Sequence, residues 1–292
     1  MSRMHPDEAD IDPALVRRLL REQFPTWAGL PTAPVRSPGT VNAIYRLGAE
    51  MCVRLPRTPG AVRDLQRERA WLPRLAPRLP LPIPVPLAEG RPSDGYPWPW
   101  AVYRWLDGEP VPPQGLADGR GAAADLAAFL GALPALDPAG GPPGRGAPLS
   151  SREAETRAAL AALRGTMDVD AAAASWRASL DAPPWPGPPV WTHGDLLPTN
   201  LLTAGGRIAA VLDFGTAGVG DPACDLIPAW SVLPAGAREA FRNAVAVDEA
   251  TWLRGRGWAL TIALVIIPYY AVTNPSFVAM ARHMVAAVLA DG

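Results

Sequence analysis

The sequence predicts an α+β protein of two lobes, and two observations support this fold class. Residues 1–105 mix short strand signals with two amphipathic helix signals, whereas residues 106–292 show mainly helical periodicity. Between these parts, a stretch rich in Pro and Gly that begins at Asp107 interrupts both patterns. We therefore expect a small mixed lobe, residues 1–105, followed by a larger helical lobe, residues 106–292.

The small lobe opens with a helix from Pro13 to about Gln23, because Asp12 can cap its first turn and proline fits the first helical position. A second helix is predicted over 62–75, and Pro73 is expected to end it early. The remaining signals are extended segments, of which the second and third form a hairpin: Ala33–Ser37, Ala43–Leu47, Met51–Leu55, Ile83–Ala88 and Trp100–Trp105.

The large lobe is predicted to contain seven helices, at 120–136, 152–164, 168–181, 222–232, 235–246, 248–273 and 275–290. Three short strands lie between the third and fourth helices, at 189–192, 201–203 and 208–212. The last two strands form a hairpin around Ala204–Gly206. The connector Pro138–Pro148 is so rich in Pro and Gly that we expect an exposed loop.

Composition excludes several classes of function and partner. A net charge of −1 gives no support for a nucleic-acid or anionic-membrane partner. The longest apolar stretch, 258–272, is shorter than the ~20 residues of a membrane span. Cys52 and Cys224 lack metal-ligand spacing, and the N-terminus is too charged for a secretory signal. We expect a reduced, soluble, cytoplasmic protein, either a monomer or a homodimer.

The chain contains no lysine, since all 27 of its basic residues are arginine. Chemistry that needs a lysine is therefore excluded, including Schiff-base formation and a Walker-type phosphate loop.

The most informative segment runs from Trp191 to Leu226, WTHGDLLPTNLLTAGGRIAAVLDFGTAGVGDPACDL. Asp195, Asn200 and Asp213 stand in it at offsets 0, +5 and +18. This arrangement is typical of phosphoryl transfer, in which one aspartate orients a hydroxyl while an asparagine and a second aspartate hold Mg²⁺. Each of the three residues alone would more often be a turn or capping residue, so the hypothesis depends on the whole string.

These motifs resemble those of the aminoglycoside phosphotransferase family, whose fold is similar to that of protein kinases. The resemblance spans nearly the whole chain, through HGDLLPTNLL, VLDFGTAGVGDPACDL, CVRLPR, RERAWLPRL and YPWPWAVYRWLDGEP. It implies that Asp195 is the catalytic base, that His193 braces the catalytic loop, and that Asn200 and Asp213 bind Mg²⁺. It also implies ATP or GTP as the phosphate donor. Asp221 or Asp225 would be structural, capping the helix that begins near Pro222.

In the small lobe the resemblance is looser. Arg54 takes the position of the phosphate-binding lysine and Glu68 that of its partner, although an ordinary surface ion pair is the alternative. Gly39, Thr40 and Asn42 belong to the segment that would cover the nucleotide and could donate to its phosphates, with a plain hairpin turn as the alternative. Tyr103 and Trp105 would lie in the hinge, where backbone groups contact the adenine; Trp98, Trp100 and the Trp105 ring are expected to be packing residues.

The acceptor is predicted to be a hydroxylated small molecule. An enzyme for polycationic aminoglycosides should present carboxylates, yet the chain has only four acids after Leu226 against five arginines. An aminoglycoside-type antibiotic is the leading interpretation, with a macrolide or another small metabolite as the alternative. A protein kinase is disfavoured because HRD and APE-like strings are missing, and a non-catalytic nucleotide-binding module because all three chemical residues are present.

Overall fold

The computed structural model describes residues 9–35 and 41–291. These residues divide into two compact units. The first takes the described residues up to Arg78, together with Pro82–Asp107 and Leu212–Gly215; the second takes Leu79–Leu81, Gly108–Val211 and the residues from Thr216 onward. The α+β class predicted from the sequence is confirmed, since the sheet lies in the N-terminal part and most helices in the C-terminal part.

The first unit is built on an antiparallel sheet of five strands in the order β1-β2-β3-β5-β4. The strands are β1 Thr32–Pro34, β2 Asn42–Leu47, β3 Met51–Pro56, β4 Pro86–Gly90 and β5 Trp100–Arg104. The predicted hairpin is confirmed as β2 and β3, whose register pairs Ile44 with Arg54. Two predicted strand positions were inexact: β1 ends at Pro34, with residues 36 and 37 outside the described part, and β4 is shifted toward Gly90.

Two helices flank this sheet. Helix α1, Pro13–Gln23, has the predicted cap, because Asp12 Oδ1 accepts a hydrogen bond from the Leu15 N–H at 2.7 Å. It packs in one apolar cluster with Trp100 and Val102 of β5. Helix α2, Pro59–Leu75, packs through Leu65 against the alternate residues Ala101 and Tyr103. The two faces of β5 therefore pack against different helices, because successive side chains of a strand point to opposite faces of the sheet.

The predicted effect of Pro73 on α2 was wrong. The helix begins earlier than expected, because Thr58 caps it and Pro59 occupies the first position. It then continues through Pro73 to Leu75. Pro73 lies in the last turn on an exposed face, where the carbonyl that loses its hydrogen bond can be hydrated.

The second unit is mainly helical. Its helices are α3 Arg120–Ala132, α4 Glu153–Ala162, α5 Val169–Leu180, α6 Pro228–Ser231, α7 Ala235–Val245, α8 Glu249–Tyr269 and α9 Pro275–Leu289. The segment predicted as one helix over 222–232 is instead a 3-10 turn, Pro222–Leu226, followed by α6. Helix α8 is buried along most of its length and packs against α4, α5 and α9. It ends at Tyr269 rather than 273, one residue after Pro268.

Within the described residues, no helix combines the length and the apolar character that crossing a membrane requires.

Short strands surround the motif region of the second unit. They are β6 Glu109–Pro110, β7 Val190–Thr192, β8 Leu201–Ala204, β9 Arg207–Val211 and β10 Gly218–Gly220. The predicted hairpin of β8 and β9 is confirmed, with Gly205 and Gly206 in its turn. Strand β10, which pairs with β7, was not predicted, because a Gly-Val-Gly sequence carries almost no strand signal.

The expectation of an exposed loop over 138–148 was wrong in its central part. Gly146 is buried and the preceding Gly144 and Arg145 are partly buried, whereas Pro143 and Ala147 are exposed. The segment runs beside β10, where Pro143 and Val219 form a parallel bridge.

Candidate functional site

The loop that follows β7 carries His193, Gly194 and Asp195 of the second unit. Asp225 fixes this loop, because its Oδ2 accepts from the His193 N–H at 2.8 Å and its Oδ1 from the Gly194 N–H at 2.6 Å. Thr216 adds a third restraint by donating its hydroxyl to the His193 carbonyl at 2.9 Å. The loop backbone is thus held by side chains from the segment 216–225, which lies well beyond it in sequence.

The Asp225 carboxyl is buried, at 2% exposure. Burial raises its pKa to about 7, and the backbone N–H groups of Gly194 and His193 oppose that shift. Its neighbour Asp221 has a different role, since it caps the 3-10 turn at Ala223 and forms a buried ion pair with Arg254 at 2.7 Å. Of the two predicted capping residues, only Asp221 is the cap.

Asp195 is held on several sides. Its backbone N–H donates to Nδ1 of the fully buried His193 at 3.1 Å. Asn200 Nδ2 donates both to the Asp195 carbonyl at 2.8 Å and to Oδ2 at 2.9 Å. Arg145 Nη1 lies 3.1 Å from Oδ1. The Asp195 side chain nevertheless retains 20% exposure, so its carboxylate is oriented and still accessible.

Arg54 and Glu68 form a buried ion pair in the first unit. Arg54 Nη1 lies 2.6 Å from Glu68 Oε2, and the Glu68 side chain is fully buried. The hydroxyl of Tyr103 donates to the same oxygen at 3.1 Å, while Oε1 accepts from the Phe214 N–H at 3.0 Å. Burial, and next the Glu68 charge, raise the pKa of Tyr103 well above its usual value, which keeps this hydroxyl a donor. The alternative of an ordinary surface pair is excluded by the burial.

Asn42 and Asp213 also meet the Arg54 guanidinium. When the Asn42 amide is oriented by its hydrogen bonds, its oxygen accepts from Arg54 Nε at 3.2 Å and Nη2 at 3.0 Å. Asp213 Oδ1 lies 3.9 Å from Arg54 Nη2, and its side chain is 47% exposed. Asp213 adopts a left-handed backbone with φ 58°, so the chain already turns at the aspartate itself.

A further carboxylate, Asp64 of α2, faces Asp213. Burial, and next the charge of Asp213, raise the pKa of Asp64. Two neighbouring carboxylates create a local negative potential, which a bound cation would relieve.

Both predicted hinge residues, Tyr103 and Trp105, lie in the first unit. Tyr103 lies in β5 opposite Cys52, and its side chain points to Glu68. The Trp105 N–H donates to the Glu50 carbonyl at 2.7 Å, and the Arg46 guanidinium lies 4.0 Å from the centre of the Trp105 ring. The predicted phosphate-covering residues Gly39 and Thr40 lie outside the described residues.

Comparison with a family model decides the family. The model of the phosphotransferase enzyme family (APH) matches residues 32–258, more than half of the chain. The chain belongs to the phosphotransferase enzyme family. A search of curated proteins finds no match.

Solved structures agree with this phosphotransferase fold. The chain is similar to the GDP and kanamycin complex of APH(2")-IIIa, with 18% identity, 95% of this chain and 99% of that chain covered, and a TM-score of 0.76. It is also similar to macrolide 2'-phosphotransferase MphH from Brachybacterium faecium, with 24% identity, 94% and 97% covered, and a TM-score of 0.62. At these identities the likeness establishes the fold, and the kinase-like resemblance drawn from the sequence is confirmed.

The sequence did not single out three residues that the structure places beside the predicted site residues. Arg145 lies in a Pro- and Gly-rich loop, Asp64 is one acid in a charged helix, and Asp225 was assigned to a helix cap. The motif GDPACDL contains both Asp221 and Asp225, but the spacing of the two aspartates does not show which of them caps the turn.

Proposed function

We propose that this phosphotransferase moves the γ-phosphate of ATP or GTP to a hydroxyl of a small-molecule antibiotic. The observation that carries the proposal is the arrangement around Asp195, whose oxygens are held by Asn200 and Arg145 while the side chain stays accessible. An oriented carboxylate of this kind suits a group that positions a hydroxyl and takes its proton. His193 supports the loop from within through its Nδ1.

The phosphates of the donor are assigned to the first unit. Burial disfavours the charge of Arg54, but the Glu68 carboxylate beside it favours the protonated guanidinium, so the pKa of Arg54 is raised and its positive charge is kept. The side chains of Asn42 and Tyr103 hold this ion pair, and both residues also stay proposed nucleotide contacts on the family resemblance. Trp105, and with it Gly39 and Thr40, remain proposed nucleotide contacts on the family resemblance alone.

The donor atoms fit Mg²⁺. Asn200 commits its Nδ2 to Asp195, which leaves the amide oxygen as its ligand atom. Asp213 offers a half-exposed carboxylate, and carboxylate and amide oxygens are the hard donors that Mg²⁺ prefers. Among the described residues no cluster of three or more His, Cys, Asp or Glu side chains suits a metal, which fits an ion that binds chiefly through the nucleotide. When bound, Mg²⁺ supplies neutralisation of the phosphate charge.

A macrolide-type acceptor is the second candidate, and three of the four acids that follow Leu226 favour it. Asp248 caps α8, Glu249 pairs with Arg242, and Asp291 binds Arg238 and Trp230. Carboxylates already engaged in this way are poorly suited to bind a polycation. At the end of α8, Tyr269 and Val272 are exposed instead. An aminoglycoside remains the leading acceptor on the family resemblance.

The proposal is tested by a nucleotide-consumption screen. Purified protein is incubated with Mg-ATP or Mg-GTP and with kanamycin, gentamicin, streptomycin or a macrolide, and the product mass is measured. Acceptor-dependent consumption with one added phosphate supports the proposal, and the acceptor that gains it decides between the two candidates. Strong transfer to generic proteins with none to these antibiotics would contradict it.

A further inference from the structure

The segment Pro142–Gly146 is fixed to strand β10 and its neighbours by backbone hydrogen bonds. The Val219 N–H donates to the Pro142 carbonyl at 2.8 Å, the Arg145 N–H to the Thr216 carbonyl at 3.2 Å, and the Asp221 N–H to the Gly146 carbonyl at 2.7 Å. Arg145 therefore lies on a backbone that is restrained on both sides, although its sequence resembles a flexible linker.

Close backbone packing brings Arg145 to the catalytic loop. A Cβ on Gly194 would lie 2.6 Å from the Cβ of Arg145, closer than two such atoms can approach. Gly194 also has φ 80°, which side chains disfavour. The glycine before Asp195 thus leaves room for Arg145, and the approach of the two segments is part of the fold rather than a surface encounter.

The side chain of Arg145 reaches the proposed base. Its Nη1 lies 3.1 Å from Asp195 Oδ1, and only 27% of the side chain is exposed. The residues between Asp195 and Asn200 are Leu196, Leu197, Pro198 and Thr199, and none of them carries a positive charge. Among the described residues of the second unit, Arg145 is the cation that pairs with Asp195. A guanidinium has five N–H donors, so one contact to Asp195 leaves others for a second anion.

We propose that Arg145 is a catalytic arginine that contacts the phosphoryl group during transfer and neutralises its charge. This inference rests on the proposed function, because the hydroxyl bound at Asp195 is the atom that attacks phosphorus. In the step, the acceptor oxygen forms a bond to the γ-phosphorus while the bond from the γ-phosphorus to the bridging β,γ-oxygen breaks. The acceptor proton passes to Asp195, and Arg145 keeps its own protons throughout. An arginine supplied in cis performs this task in other phosphoryl-transfer enzymes.

The test compares Arg145→Ala, Arg145→Lys and the matched control Arg152→Ala. Arg152 lies seven residues further on, has a similar side-chain exposure of 25%, and pairs with Glu155 instead. Three quantities are measured with the antibiotic that the wild type phosphorylates: kcat, the Kd of the Mg-nucleotide, and the thermal stabilisation by Mg-nucleoside diphosphate with aluminium fluoride. That complex mimics the planar, charged phosphoryl group, so it reports contacts made in the transition state.

Arg145→Ala is expected to lower kcat by about 10²–10³, as loss of one transition-state donor does, with nucleotide affinity almost unchanged. It should also lose the stabilisation by aluminium fluoride. Arg145→Lys keeps the positive charge but not the planar guanidinium, so its kcat should lie between those of the wild type and Arg145→Ala. It also tests the role of Arg145 if the alanine variant does not fold. Arg152→Ala should behave as wild type.

Three results would overturn the inference: unchanged turnover in Arg145→Ala, higher turnover, or lower turnover with full aluminium fluoride stabilisation. The second would mean that the ion pair restrains Asp195 in a resting state, and the third that Arg145 only orients it. If the wild type phosphorylates no acceptor, the proposed function fails and the role of Arg145 falls with it. If the wild type phosphorylates an acceptor and Arg145→Ala has unchanged turnover, only the proposed role of Arg145 fails.

Discussion

The Glu68 carboxylate accepts a hydrogen bond at 3.0 Å from the backbone N–H of Phe214, which lies 146 residues further along the chain. Its other oxygen holds Arg54 and the Tyr103 hydroxyl. One buried carboxylate therefore fixes both the proposed phosphate-binding arginine and the short segment that carries Asp213. Removing it should affect stability and nucleotide binding together.

The first prediction concerns Glu68→Ala. This change leaves Arg54 buried without its partner, and loss of one member of a buried ion pair costs about 3–5 kcal/mol. Denaturant unfolding measures the loss. Glu89→Ala is the matched control, because Glu89 pairs with Arg69 at the surface, where an ion pair contributes only about 0–1 kcal/mol. Equal losses in the two variants would contradict the role of Glu68.

The second prediction concerns the identity of Arg54. Its fork binds Glu68 through Nη1 and the Asn42 oxygen through Nε and Nη2, whereas a lysine ammonium cannot match that geometry. Arg54→Lys and Asn42→Ala should each lower stability by about 1–2 kcal/mol and weaken binding of Mg-nucleotide. The double variant should lose less than the sum, because both changes remove the same contact. Strict additivity would show that Asn42 does not act on Arg54.

The third prediction concerns pH. Burial raises the pKa of Asp225 to about 7, and the protonated carboxyl is a poorer acceptor for the two N–H groups of His193 and Gly194. The kcat of the wild type should therefore fall as the pH decreases through about 7. Asp225→Asn is the control, since it cannot titrate: its turnover should be low and flat over the same interval. An acid limb retained in Asp225→Asn would assign the titration to another group.

The contribution of Asp225 to the free energy of unfolding should show the opposite trend with pH. The pKa of folded Asp225 lies above the value of about 3.9 for an unfolded aspartate. Its contribution to stability is therefore present in full below the unfolded pKa and is lost as the pH rises through about 7. Unfolding of the wild type and of Asp225→Asn across this range measures the difference, and a contribution that grows with pH would contradict the sign.

The fourth prediction concerns the Mg²⁺ dependence of nucleotide binding. Asp213→Asn keeps the left-handed backbone, which asparagine tolerates, but removes the charge that would bind the metal. In the wild type, nucleotide should stabilise the protein more with Mg²⁺ than with a chelator, and Asp213→Asn should lose that difference. A variant that retains the full Mg²⁺ dependence in a thermal-shift assay would remove Asp213 from the metal site.

The features that could be predicted from the sequence have local causes. The cap of α1 at Asp12 and the β8–β9 turn at Gly205 depend on neighbouring residues alone. The motif positions likewise depend on fixed spacing. Contacts across the chain could not be predicted, because no local pattern encodes them: Arg145 meets Asp195 only through the packing of its loop beside β10.

Asp195→Asn tests the central claim most directly. The asparagine preserves the size of the side chain but cannot take the acceptor proton, so turnover of the phosphorylated antibiotic should fall by about 10²–10⁴ while Mg-nucleotide affinity stays close to that of the wild type. Asp170→Asn, a change at an exposed acid of α5, provides the control and should leave both quantities unaltered. Steady-state turnover and nucleotide titration are measured on the same preparations. Wild-type turnover in Asp195→Asn would contradict phosphoryl transfer at this loop.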